Sequence, residues 1–325
     1  MIIAIVGNAP SSGSTFLADL LDSTPYSACG PEINIFSHKR LYDFHRFKRN
    51  IYQSSPTSTY CLLRERIKFR QLHKYGLNAA EFRQLVEQSR SVREFAEQFG
   101  RRFLALRGKP PEGIFFEKTP QNLSCIEEFL THFPEGYFIF LVRNPAHVYA
   151  SLLRRGIPPY IALLTWYIDA ARYLPYRHHP RVISLRYEEL VAAPFQRVAT
   201  LLKQISDLDI APEEIERNYQ NNDYRRFHSK KLPSWSIKEY GKIGDANRNP
   251  LPPQQTRELS RLWNTQIRGP FARRFGLAEI DFESLLKELC YLKPVQALLP
   301  SPPCERKLPA RTLRDSLRLT HKWFR

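Results

Sequence analysis

The apolar positions of this chain fall into two patterns: short continuous runs, and longer stretches in which they recur with helical spacing. Ile2–Val6 is a compact run that predicts a buried strand, and Thr15–Leu21 predicts the helix that follows it. Pro25 and the Cys29-Gly30-Pro31 turn close that unit. The alternation resumes with a strand at Ile114–Phe116, a helix over about 123–132 and the most apolar strand, Tyr137–Val142. A helix at Pro145–Arg155, a second over about 159–174, a strand at Val182–Leu185 and a helix near 195–205 complete it. Strands this short, separated by helices, specify an α/β fold: a mostly parallel central sheet covered by helices on both faces. The pattern leaves the strand order open.

Two regions depart from the alternation. Residues 38–49 are basic and aromatic together, and from about 62 to 106 Phe82, Leu85, Val92, Phe95 and Phe99 recur at spacings of three, four and seven. The stretch 38–112 therefore reads as a helical insertion or lid. Beyond about 211 no strand is indicated. Residues 225–249 form a polar, basic loop region, and 252–268 reads as an amphipathic helix. The tail from Lys293 is rich in Pro and basic residues, with a short helix expected near 312–323. This gives a main domain over 1–277 and a C-terminal helix with a basic, Pro-rich tail over 278–325.

Composition narrows the class of partner. In 325 residues, 49 Lys and Arg outnumber 32 Asp and Glu, a formal charge of +17. That excess is either a solvated basic surface or a preference for anions: a nucleotide, a nucleic acid, an acidic polymer or a membrane face. The five cysteines form no Cys-x-x-Cys pair, which argues against a zinc site or a disulfide framework and fits a reducing compartment. No apolar run approaches the ~20 residues of a membrane span, and the first one is too short for a signal peptide. A cytoplasmic protein is expected, with peripheral membrane contact through basic surface left open.

The candidate chemistry starts where the first strand breaks. Gly7 to Leu21 runs from strand through a Gly/Ser loop into a helix, which gathers backbone N–H groups at the positive end of that helix, a cradle for phosphate. Nucleotide hydrolases place Gly-Lys-Ser/Thr in such a loop. Here Ser14 follows Gly13 and the loop holds no Lys, so a phosphorylated nucleotide is expected without ATP or GTP hydrolysis. At the end of Tyr137–Val142 stands Arg143, Pro145 is placed to open a helix, and Ser151 and Arg155 lie four residues apart on it. An Arg at a strand end with a Ser and an Arg on the next helix can converge on a second phosphate.

Together these segments resemble the sulfotransferases that use 3′-phosphoadenosine 5′-phosphosulfate (PAPS). The likeness rests on Ser12-Gly13-Ser14-Thr15, on Arg143 with Ser151, on Glu117-Lys118-Thr119-Pro120, and on Leu185-Arg186-Tyr187-Glu188-Glu189-Leu190. These occur in the family's order over roughly residues 1–275, and are most similar to the carbohydrate and tyrosylprotein branches. The resemblance implies the P-loop-like sulfotransferase fold, PAPS as co-substrate, no metal, and an acceptor hydroxyl or amine on a carbohydrate, lipid, natural product or protein Tyr.

It also distributes roles. Ser11, Ser12, Gly13, Ser14, Thr15 and Phe16 would hold the 5′-phosphosulfate; Arg143, Ser151 and Arg155 the 3′-phosphate; Tyr187 the nucleotide, unless it is a half-buried core residue. Glu32, in the segment after the first helix, would be the catalytic base, and Lys118 the cation at the leaving oxygen. The family's late loop would correspond to Ser229, Lys230, Lys231, Trp235 and Lys238, with Trp235 either stacking on adenine or packing on the sheet. Trp166 reads as core. Many relatives carry Lys or Arg two residues before the loop glycine, where this chain has Ser11, so Lys118 or the late loop would have to replace that cation.

Two other functions were weighed. A P-loop kinase of a small metabolite would need a loop Lys and a strand-end Asp for magnesium, but Tyr137–Val142 ends in Arg143. A non-enzymatic binder of nucleic acid or membrane would use 38–49, 225–231 and the tail. It leaves the Gly/Ser loop and Arg143 without a task, which makes nucleic acid the lesser partner.

Overall fold

The structure, a computed structural model, describes residues 1–52, 69–221, 251–263 and 265–299. The late-loop residues Ser229, Lys230, Lys231, Trp235 and Lys238 and the helix expected near 312–323 lie outside the described residues.

Strand β1 (Ile2–Asn8) leads into helix α1 (Ser14–Asp22), then β2 (Ser27–Cys29), β3 (Ile114–Lys118), β4 (Tyr137–Val142) and β5 (Val182–Arg186). These form one five-stranded sheet in the order β2-β3-β1-β4-β5, every pair parallel. The expectation of a parallel sheet holds, and the order adds that β1 is central, with β3 and β4 on either side. A parallel strand buried on both faces sends alternate side chains to opposite sides. Ile3, Ile5, Phe115, Phe138 and Phe140 enter one core, and Ala4, Val6, Phe116, Ile139 and Leu141 the other. The second core is closed by α1 and the helices Tyr187–Ala192, Pro194–Ser206 and Pro212–Asn221.

Three differences from the sequence expectations have local causes. β2 lies where a turn was expected; its three residues, Ser-Ala-Cys, are too few to display alternation. The helix expected over 252–268 ends at Ser260, because Gln266–Ile267 (β6) pairs with Ile280–Asp281 (β7) in a small antiparallel ladder. Within the expected insertion, helix Val92–Leu106 is no detached lid. Phe95, Phe99 and Phe103 are fully buried, and the last two meet the Phe115 ring edge-on at 5.7 and 6.0 Å. Gly100 lets that helix approach β3, since a Cβ there would crowd Phe115 at 2.9 Å. At its end, Arg107 reaches the buried Asp22 carboxylate at the end of α1, 2.6 Å away.

Residues 278–299 share the first core through Phe282, Leu285, Leu286 and Tyr291, and the Ala278 amide donates to the Ala171 carbonyl at 2.9 Å. Among the described residues no helix is long and apolar enough to cross a membrane.

The β1–α1 turn depends on a residue without a Cβ. Gly13 caps α1 at φ 94°, and a Cβ there would fall inside the ring of Tyr187. Gly108 has φ 66° with open space around it. Gly108→Ala is expected to cost only the left-handed backbone, about 1 kcal/mol, whereas Gly13→Ala adds a clash worth about 1–3 kcal/mol more. Denaturant unfolding of both variants checks this; equal losses would contradict the packing.

Candidate functional site

Parallel strands in a common register end together. Val6 is level with Lys118 on one side and Ile139 on the other, and Val142 with Arg186. The carboxyl ends of β1, β3, β4 and β5 therefore form one rim, and the strand order reverses beside β1, the usual place for a ligand in such sheets.

The loop after β1 is built to present amides. Ser11 takes φ 70°, an uncommon left-handed conformation for a serine, and Gly13 follows at 94°. The Ser12 amide donates to the Ala9 carbonyl at 3.2 Å, and those of Phe16 and Leu17 to the Gly13 carbonyl at 3.0 and 3.2 Å. The first amides of α1 precede any intrahelical bond and stand at its positive end. Ser12 is fully buried, yet its hydroxyl has no hydrogen-bond partner among the described residues.

Two guanidinium groups meet on this loop from the far side. Arg143, leaving β4, donates through Nη1 to the Ser11 carbonyl at 3.2 Å, and Arg155, at the end of helix Pro145–Arg154, donates to Ser11 Oγ at 2.9 Å. These bonds hold Ser11 in its left-handed conformation. Arg143 is 5 % exposed and lies over the Tyr187 ring, 4.5 Å from its centroid. Burial lowers its pKa, with the Tyr187 and Glu188 side chains opposing that shift. A guanidinium starts so high that it remains a cation at neutral pH. Its Nε has no partner among the described residues. A buried cation with an unmet donor is costly, and an anion would satisfy it. Burial also lowers the Arg155 pKa, and the charge of nearby Glu32 opposes it.

Arg143 is fixed from behind. Trp166 Nε1 donates to its carbonyl at 2.8 Å. The Asn144 side chain caps the next helix by accepting the Ala146 amide at 2.9 Å, while its own amide donates to Glu188 at 2.9 Å. Tyr291 gives its hydroxyl proton to the other Glu188 oxygen at 2.6 Å.

At the end of β3, Lys118 is almost wholly buried, and its ammonium meets the half-exposed Glu32 carboxylate at 3.1 Å. The residue before it, Glu117, is fully buried and turned to the other face. It accepts from Thr119 Oγ1 and Asn122 Nδ2, both at 2.6 Å, and from the Ile33 amide at 3.4 Å. Burial raises its pKa, while those hydrogen bonds and Lys118 pull it back. On the other side of Glu32, the Tyr75 hydroxyl donates to the Pro31 carbonyl at 2.5 Å, and Gly30 leaves room for the Tyr75 ring.

The structure thus brings Ser11, Ser12, Gly13, Ser14, Arg143, Arg155 and Tyr187 to one loop, with Lys118 and Glu32 on the neighbouring strand end. Ser151 stands half-buried one turn before Arg155, Thr15 is half-buried on the first turn of α1, and Phe16 meets Tyr219 edge-on at 6.3 Å. Tyr187 is buried, its ring wedged between Gly13 and Arg143. Arg143 and Arg155 both reach Ser11, while Lys118 is paired with Glu32. Sequence reasoning missed Glu117, Asn144, Glu188 and Tyr291 as supports, and took Trp166 for core alone. Glu117, Asn144 and Glu188 lie at or just beyond a strand end, which does not mark them as supports, and Trp166 and Tyr291 lie away from any.

The rim gathers Lys118, Arg143 and Arg155, a helix N-terminus and the Glu32 carboxylate, an arrangement suited to a polyanionic ligand beside a proton acceptor. The profile of the Sulfotransferase family matches residues 3–211. Among solved structures, the sulfotransferase domain from the curacin biosynthetic pathway is 18% identical, with 89% of this chain and 97% of that one covered at a TM-score of 0.55. The sulfotransferase domain of the Synechococcus PCC 7002 olefin synthase is 21% identical over 67% of this chain and 76% of that one, at a TM-score of 0.46. No curated protein matches at a significant level. With more than half of its length matched by the family profile and the rim in place, the chain belongs to the sulfotransferase family.

Proposed function

We propose that this chain transfers a sulfuryl group from PAPS to an acceptor hydroxyl or amine, with Glu32 as base and Lys118 as the cation at the leaving oxygen. The observation that carries this reading is the convergence of Arg143 and Arg155 on Ser11, at the mouth of a loop whose own sequence has no cation.

The residues fit an adenosine bisphosphate skeleton. Gly13 makes room for the Tyr187 ring, and the first amides of α1 with the Ser12 hydroxyl, unmet among the described residues, would take the 5′-phosphate. Arg143, whose Nε lacks a partner among the described residues, would take the 3′-phosphate with Ser151. Arg155 supplies positive charge beside Ser11, where many relatives carry it on the loop itself. When bound, PAPS provides a sulfuryl group activated by its anhydride link to phosphate.

The chain's own contribution is orientation and proton control. Glu32 removes the proton of the attacking hydroxyl or amine as its bond to sulfur forms, and a base so placed accelerates a reaction about 10²–10⁴-fold. Lys118, buried beside it, faces charge that grows only as the old sulfur–oxygen bond breaks, so it favours the transition state over the ground state. Their ion pair at 3.1 Å holds the two side chains against each other before a ligand arrives. The acceptor class follows from family membership only as far as a nucleophilic oxygen or nitrogen.

Two predictions test this reading. Adenosine 3′,5′-bisphosphate at 100 times its dissociation constant is expected to stabilise the fold by about 2.7 kcal/mol in thermal unfolding. Arg143→Ala should weaken that binding by about 2–5 kcal/mol, and Arg155→Ala measurably. Stabilisation by ATP with magnesium but not by the bisphosphate would overturn the donor assignment. Glu32→Gln should bind the bisphosphate as wild type does yet lose about 10²–10⁴-fold in transfer rate, measured with labelled PAPS. Unchanged turnover would remove Glu32 from the mechanism.

A further inference from the structure

Glu32 sits in a segment that has no regular structure of its own: residues 30–38 belong to no helix or strand. Such a segment leaves its backbone amides to be satisfied by something else. Here side chains from the end of β3 do it. The Ile33 amide donates to Glu117 Oε1 at 3.4 Å, and the Asn34 amide to Thr119 Oγ1 at 3.1 Å. Thr119 passes its own hydroxyl proton to Glu117 at 2.6 Å. Asn122 ties the same carboxylate to the central strand, donating to Glu117 Oε2 at 2.6 Å and to the Val6 carbonyl at 3.1 Å. Glu117, Thr119 and Asn122 are all fully buried.

From this we infer that Glu117, Thr119 and Asn122 form a clamp that positions Glu32 against Lys118, and that Glu117 and Thr119 are positioning residues for the transfer reaction. The inference rests on the role given to Glu32 above. The clamp joins the three parts whose relative placement the chemistry needs. Val6 belongs to the strand that carries the anion loop, Lys118 lies between Glu117 and Thr119 in sequence, and Glu32 directly precedes the two amides that are held. Adjacent side chains on a strand point to opposite sides, so Lys118 faces the rim while Glu117 faces the segment behind it. Every group that contacts Glu117 offers it a proton: a hydroxyl, a side-chain amide and a backbone N–H. A carboxylate accepts all of them, whereas a glutamine must turn its own NH₂ toward one of these donors.

The experiment separates positioning from fold and from donor binding. Thr119→Val removes the acceptor for the Asn34 amide with little change of shape, and Thr119→Ser keeps the hydroxyl. Glu117→Gln perturbs the centre of the clamp. For Thr119→Val and Glu117→Gln, affinity for adenosine 3′,5′-bisphosphate is expected within about twofold of wild type, while kcat for transfer from PAPS to 2-naphthol falls about 10²-fold, as for an ångström-scale misplacement. Thr119→Ser should restore kcat. Amide hydrogen exchange at Ile33 and Asn34 should accelerate in Thr119→Val and stay slow in Thr119→Ser.

Wild-type kcat in Thr119→Val, or a loss that follows nucleotide affinity, would overturn the inference. So would a loss that serine does not rescue. A wild-type chain that neither binds the bisphosphate nor transfers to 2-naphthol would overturn the PAPS assignment instead. Exchange at residues 33 and 34 then still decides: unchanged rates in Thr119→Val remove the clamp.

Discussion

The site depends on a buried guanidinium, placed at the end of a strand, that no carboxylate meets directly among the described residues. Arg143 has its carbonyl held by Trp166, its ring neighbour in Tyr187 and its Nη1 on the Ser11 carbonyl, but its Nε is unmet among the described residues. Glu188 is near enough to influence its charge, but gives its oxygens to the Asn144 amide and Tyr291. A protein normally avoids such an arrangement, since a desolvated cation is tolerated only when hydrogen bonds or an opposite charge compensate it. The surrounding supports keep the guanidinium in place, and the unmet donor then becomes a reason for an anion to bind.

The sheet explains why this cation meets the others. Because β1 lies between β3 and β4 with all strands parallel, the β1–α1 loop, Lys118 and Arg143 leave the sheet on one rim. The two faces then divide the work. Helix α1 and its neighbours close one core under the loop, while the helices Val92–Leu106, Pro145–Arg154 and Pro159–Tyr173 close the other. The second group carries Arg155 and Trp166 into the site. Residues 278–299 belong to the same support, because Tyr291 reaches Glu188 behind Arg143.

How much of this could be read from the sequence varies with the kind of interaction. β1, β3 and β4 were legible because a strand buried on both faces carries a continuous apolar run, with Tyr137–Val142 the clearest case, whereas edge strand β5 was legible from its Val182-Ile183 start alone, since Ser184 is exposed. β2 was not, because three residues at a sheet edge show no pattern. Arg143 was legible because it stands directly where an apolar run stops, Gly13 because it lies in a Gly/Ser loop between a strand and a helix, and Lys118 only through the resemblance of Glu117-Lys118-Thr119-Pro120 to a family segment. Glu117 looked like the polar end of a strand, and nothing in its neighbourhood indicated that it holds the Ile33 amide, 84 positions away. Trp166 and Glu188 were equally silent, since a single long-range hydrogen bond leaves no periodic trace. The hydrogen bond from Arg155 to Ser11 depends on the rise of one helix and the left-handed turn at Ser11, neither of which is visible in composition or spacing.

A crystal structure of the chain with adenosine 3′,5′-bisphosphate tests the central claim most directly. The account predicts one nucleotide spanning the rim, its 5′-phosphate on the first amides of α1 and its 3′-phosphate on the Arg143 guanidinium. A nucleotide that leaves Arg143 untouched, or one whose two phosphates both lie away from the β1–α1 loop, would contradict it.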